Sequence, residues 1–190
     1  MTLPLRTFVR KPIQHTFLLS LLGCLITLVP HFAAAAPAGN GAGNGNSSSK
    51  LIQIVQNATQ QYANVNAAEA AGYGQFLGCV SGPDMGAMGI HYVNGALLNG
   101  TLDPAHPQAL IYEPTNGKLQ LVGVEFIVDQ ATWDSTHVGP PVLEGQSLQF
   151  VASPNRFNIP AFYELHVWAW RDNPLGAFVD WNTKVSCAGE

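Results

Sequence analysis

Charge is scarce in this chain. Asp, Glu, Lys and Arg make up 11% of its 190 residues, and only eight of those residues are Lys or Arg. They form no basic patch and no Arg/Lys-rich helix, which argues against a nucleic-acid partner, because neutralising phosphate dominates such binding. Cysteine is equally sparse, three in all, and the absence of C-x-x-C spacing argues against a thiolate metal cluster. G-x-S-x-G, H-E-x-x-H and a phosphate loop are missing, so the common hydrolase and nucleotide signatures do not apply. The glycines of "GNGAGNG" (39–45) imitate part of a dinucleotide fingerprint, but no strand precedes them. No internal repeat is present.

What is present begins with a leader. Arg6, Arg10 and Lys11 precede an apolar run from Phe17 to Val29, followed by "PHFAAAAPAG". A basic start, an apolar middle and small residues at the end describe a secretory signal peptide over 1–35, with cleavage after Ala35. Cys24 lies in "LLGC", reminiscent of a lipoprotein box, so lipid anchoring there is the alternative to release; the apolar residues running on past it weigh against attachment. Signal removal leaves five Lys and Arg against twelve Asp and Glu, a net charge of −7, and no segment suited to stable membrane insertion. A secreted or periplasmic location follows.

Residues 36–49 are Gly/Asn/Ser-rich and read as a linker. Residues 50–190 are of a size for one domain. Cys79 and Cys187 survive processing, and an even pair in an oxidising compartment predicts a disulfide.

Apolar residues at Leu51, Val55, Ala58, Tyr62, Val65 and Ala68 make one stripe at helical spacing and predict a helix over 50–71, ended by Gly72. Beyond Gly72 the period becomes two. Strands are predicted at 88–94, 109–113, 118–128, 147–152 and 162–170, with a short last strand in "AFVDWN"; the Asn-Gly of "EPTNGK" predicts a hairpin turn. The segment 118–128 is apolar on both faces and belongs in the centre of a sandwich or in a barrel wall covered by a helix or loop. The expected fold is mainly β, a small β-barrel or β-sandwich with one N-terminal helix packed on it.

Several chemistry-bearing residues interrupt this apolar patterning. Alternation places Glu125 on one face with Leu121 and Ile127, where a lone carboxylate is costly. His91 is the centre of "GIHYV". In "FYELHVWAWRD" (162–172), Phe162, Glu164, His166, Trp168 and Trp170 share a face, so Glu164 and His166 are successive side chains of one wall, about 7 Å apart. Converging inside the domain, His91, Glu125 and His166 would hold a divalent metal, zinc or iron, with Glu113 or Glu164 in support; two imidazoles and a carboxylate with a position left open are ligation that both metals use, in binding proteins and in metal-dependent enzymes. Two other readings stand beside it. One is a structural network in which each histidine bonds a carboxylate. The other is a non-catalytic pocket for a sugar or apolar small molecule, lined by Tyr92, Glu164 and Trp168. His106 and His137 fall in Pro- and Gly-rich loops and read as solvated.

The strings "AEAAGY", "GCV", "MGIHYVN", "LDP..PQALIYEP", "LVGVEF", "YELHVWAWRDNPLGAFVDWN" and "VSC", between residues 62 and 187, resemble a group of small exported bacterial proteins with no established activity. The resemblance implies an exported single-domain protein and assigns no catalytic residue. Intact-mass analysis of the protein recovered outside the cytoplasm should find a polypeptide beginning at Ala36 without lipid; a mass retaining residues 1–35, or a lipid on Cys24, overturns this.

Overall fold

The computed structural model describes residues 44–190. The leader, Cys24 and the first part of the linker lie outside that range. Helix α1 spans Asn44–Thr59, so the last residues of the Gly/Asn/Ser segment are helical rather than linker. The helix expected over 50–71 is two helices. α1 passes into a 3-10 turn at Gln60–Ala63, and Asn64 then takes an extended conformation. Its side chain accepts from the Asn66 N–H at 3.1 Å and caps α2, Val65–Ala70. Gly72, at φ +94°, ends α2.

Nine strands follow: β1 Gly74–Gln75, β2 Val80–Gly82, β3 Gly86–Val93, β4 Ala109–Thr115, β5 Lys118–Asp129, β6 Val142–Leu143, β7 Gln146–Ser147, β8 Gln149–Val151 and β9 Phe162–Val167. Helix α3, Gln130–Asp134, follows β5. Asn116 and Gly117, at φ +50° and +72°, make the β4–β5 hairpin turn, as the sequence predicts. The main sheet is antiparallel with order β1-β3-β4-β5-β9-β8, and β2 continues along β3. The fold is mainly β with the N-terminal helix on the sheet. β1 and β8 stand at opposite ends of the order, so the sheet stays open and no barrel closes.

Face assignment depends on one irregularity. Ile111 pairs with Gly123 while Tyr112 pairs with Leu121, which leaves Val122 as an extra residue in β5. This bulge reverses the alternation, because two residues oppose one. Leu121 therefore packs with Val124 and Phe126 in the helix-side core, not beside Glu125 as strict alternation predicts. That core also holds Leu51 and Val55 of α1, Tyr92 and Tyr112, and Leu165 and Val167.

The opposite face is covered in part by the C-terminal segment. Val185 packs on Ala87, Ile111, Val122 and Trp168. "AFVDWN" forms no strand; Asn182 alone bridges Ala87. Asn173 explains the difference. Its side chain accepts from the Leu175 N–H and donates to the Trp181 carbonyl, folding the segment over the sheet rather than along its edge. β9 stops at Val167 for the same reason: the Trp168 N–H donates to the Ala177 carbonyl.

Cys79 and Cys187 form the expected disulfide, with Cα atoms 5.5 Å apart. It joins the β1–β2 connection to the C-terminal segment. Both Glu190 carboxylate oxygens accept from the Cys79 N–H, at 2.9 and 3.0 Å, reinforcing the same junction. The bond closes a loop of 108 residues, which in the chain-entropy account stabilises by about 4–5 kcal/mol. Replacing both cysteines by serine should lower the urea-unfolding free energy on that scale, and denatured oxidised protein lacking residues 1–35 should show no free thiol.

Candidate metal centre

The strand register brings His91, Glu125 and His166 together. Glu125 lies opposite His166 on β9 and opposite Ala109 on β4. His91 lies opposite Ile111, two strands from β5. Ala109 projects only a methyl group into the gap, leaving room for the His91 ring to lean toward Glu125. His91 Nε2 is 3.4 Å from His166 Nε2 and 3.5 Å from Glu125 Oε2. The two rings meet edge to face. All three residues are buried.

The other ring nitrogens are set by a second layer of contacts. The Gly89 carbonyl accepts a hydrogen bond from the His91 imidazole. With Nε2 turned to His166 and Glu125, the donor is Nδ1, and Nε2 is left with its lone pair facing the cluster. Gly89 sits at φ +98°, where a Cβ would lie 2.7 Å from the Tyr112 carbonyl oxygen, so only glycine fits there. His166 Nδ1 points to Asp180 Oδ1 at 3.6 Å. Gln149 holds that same oxygen at 3.2 Å.

Glu164, opposite Ile127, completes the group and hydrogen-bonds Glu125. Its Oε2 and His166 Nδ1 are buried without a hydrogen-bond partner. His91, Glu125 and His166 form one set of donor atoms close enough to share an ion; Glu164, His166 and Asp180 form a second.

Burial governs the electrostatics. It lowers the His91 pKa to about 4, against the Gly89 hydrogen bond. His166 is driven well below its usual value by burial and then by the adjacent His91. Glu125 is raised well above the carboxylate range by burial, by the Glu164 charge and their shared hydrogen bond, and by Asp180. Glu164 is raised to about 7 by burial, with the Glu125 hydrogen bond pulling it down and Asp180 pushing it up. Burial also raises Asp180, against its bond from Gln149. Without a cation, these shifts favour neutral imidazoles and a protonated Glu125.

Beside the cluster the sheet face opens into a pocket of about 290 Å³. His91 and Glu125 lie at its inner end; Val93, Ile127 and Phe162 continue its base. One wall is Phe76, Leu77 and Val80, next to the disulfide; the other is Phe157, Ile159 and Pro160. Asn155 shapes the second wall, its side chain bonding the backbone of Ala152, Phe157 and Ile159. Arg156 links the two walls, donating to the Ser81 carbonyl and lying over the Trp181 ring.

Three sequence-stated site residues stand elsewhere. Glu113, two residues past the Ile111 position and beyond the bulge, pairs with Arg171 and accepts from the Ser186 N–H at 3.0 Å. It anchors the C-terminal segment and is no ligand of the cluster. Tyr92 is on the opposite face, packed edge to face on Tyr112 in the helix-side core. Trp168 is buried under the C-terminal segment, stacked beside His166, with its Nε1 donating to the Val179 carbonyl at 2.6 Å. It is not in the lining of the pocket beside the cluster. Trp170 leaves the His166 face altogether and donates to Thr59 Oγ1 of α1. His106 and His137 are exposed, as expected. Sequence reasoning missed Asp180, although a carboxylate inside the aromatic string "AFVDWN" was a signal, and it missed the pocket walls, which come from loops.

The shifts give the metal-free protein a two-sided pH profile. An imidazole whose folded pKa is depressed contributes stability above its unfolded value; for His91 this is lost as pH falls from 6.5 to about 4. A carboxyl whose folded pKa is raised contributes below its unfolded value; for Glu164 this is lost as pH rises from 4.5 to about 7, and Glu125 extends the loss upward. Thermal midpoints of chelator-treated protein should therefore hold between pH 4.5 and 6.5 and fall on both sides. Glu164→Gln should reduce the alkaline fall; an unchanged alkaline limb refutes the assignment.

Comparison with known protein families, curated proteins and solved structures finds no match, so the functional reading rests on this geometry.

Proposed function

We propose that this chain is an exported protein whose β domain binds one divalent metal ion, zinc or ferrous iron, through His91, His166 and Glu125. The observation that carries the reading is the spacing of the donors. Metal bonds of about 2.0–2.1 Å at tetrahedral angles put neighbouring donors about 3.3–3.4 Å apart, and the Nε2–Nε2 and Nε2–Oε2 separations are 3.4 and 3.5 Å. The surroundings agree. The Gly89 carbonyl fixes one imidazole with its lone pair inward, and Asp180 stands behind the other, the outer-shell pattern of ligating histidines. Export is supported by the Cys79–Cys187 disulfide and the leader-like N-terminus. Among the described residues, no helix is long and apolar enough to cross a membrane.

Isothermal titration of chelator-treated protein with Zn²⁺, and anaerobically with Fe²⁺, should show one ion per chain. His91→Ala and His166→Ala should each weaken binding by two orders of magnitude or more while the β circular-dichroism signal is kept. If neither ion binds and His166→Ala only destabilises the fold by about 1–3 kcal/mol, the cluster is a structural network.

A further inference from the structure

From the pocket beside the cluster we infer the class of molecule it takes: a small, electrically neutral, apolar compound, aromatic or branched aliphatic, with one heteroatom that reaches the ion. The last element rests on the metal reading; the rest stands on the pocket alone.

Polarity in this pocket runs opposite to that of an ordinary surface cleft. The outer side chains are large and apolar yet exposed, Phe76 at 45% and Leu98 at 49%, while the polar His91 and Glu125 are buried at the inner end, at 7% and 4%. Water gains little from the outer walls, and an apolar body placed there removes exposed hydrocarbon on both partners. The volume of about 290 Å³ suits a small molecule and not a peptide segment.

Charge narrows the class. No Lys or Arg lines the pocket. The acidic side chains in its lining are Glu125 and Asp129, and the Asp129 carboxylate already accepts from the Thr132 N–H and hydroxyl at 2.8 Å. Without a metal ion, an anion would enter a low-dielectric space beside the Asp129 carboxylate with no Lys or Arg in the lining to receive it. In the metal-free protein that disfavours phosphorylated, sulfated and carboxylated compounds. A sugar is disfavoured too, because the walls supply too few donors and acceptors for its hydroxyls. His91 and Glu125 belong both to the donor set and to the pocket lining, so an ion they hold borders the pocket and its free coordination position is reached from there. A hydroxyl, amine or imidazole-type nitrogen on the ligand fits that position.

The test uses the whole mature protein in two arms. Chelator-treated protein is titrated with N-phenyl-1-naphthylamine, a neutral fluorescent probe, and with 8-anilinonaphthalene-1-sulfonate, the same skeleton carrying an anion. Saturable one-to-one binding of the neutral probe, at least tenfold tighter than the sulfonate, is expected. Leu98→Asp, at an exposed position, and Ile159→Asp should each weaken the neutral probe at least tenfold. No saturable binding, or equal or tighter sulfonate binding, overturns the ligand class. In the second arm, Co²⁺-loaded protein is titrated with imidazole and 4-phenylimidazole while the visible cobalt bands are followed. A shifted spectrum with at least tenfold preference for the phenyl compound supports coordination from within the pocket; no shift, or equal affinities, overturns it. Failure of Co²⁺ to bind refutes the metal reading, and the neutral-probe arm still decides the pocket.

Discussion

Two imidazoles and two carboxyl groups buried together on one sheet face are the constraint on which the rest of this structure depends. Such groups are costly in a low-dielectric interior unless each has a partner, and the fold places them within reach of one another while Glu164 Oε2 and His166 Nδ1 keep no hydrogen-bond partner. Strand register supplies the row of Ala109, Glu125 and His166, and small residues make it possible. Ala109 leaves space for the His91 ring. Gly123 lets β9 and Trp168 approach, since a Cβ there would lie 2.9 Å from the Val167 carbonyl oxygen. Gly89 brings its carbonyl to the His91 imidazole. Each is a backbone or packing feature whose effect is to orient a nitrogen or an oxygen.

The C-terminal segment determines how dry that face is. Val185 covers Ile111, Val122 and Trp168, and the cluster lies between this cover and the pocket, with His166 beside Trp168 and His91 and Glu125 in the pocket lining. Among the attachments that hold the cover are the Cys79–Cys187 bond, the Glu113 contacts to Arg171 and the Ser186 N–H, the Glu190 carboxylate on the Cys79 N–H, and the Asn182–Ala87 bridge. Two of them also fix the β1–β2 connection that forms a pocket wall. Stability and site geometry are thus supplied by the same bonds.

The helix-side core plays a different part. Leu51 and Val55 of α1 pack on Tyr92, Tyr112 and Leu165 and bury the sheet's other face. This burial pins the register, because a one-residue slip of any central strand would exchange its apolar set for the polar one. The identities of the cluster residues are therefore protected from a distance by hydrocarbon that never touches them.

The sequence by itself determined the mainly β class, the N-terminal helix, the hairpin at Asn116–Gly117 and the disulfide, because each rests on local periodicity, a dihedral preference or simple pairing. It also marked His91, Glu125, His166 and Glu164, since polar residues in apolar strands stand out. What only tertiary structure decided was where those residues point and what they meet. The Val122 bulge moved Leu121 to the other face, a shift invisible to strict alternation. Glu113 went to Arg171 and Tyr92 to the helix side, while Asp180 arrived from a segment patterned like a strand that folds as a loop. The pocket walls come from loops remote in sequence, joined by a disulfide, by Asn155 and by Arg156. Periodicity along one strand carries no information about such long-range convergence, because register, bulges and loop closure are set by the energy of the whole packed domain.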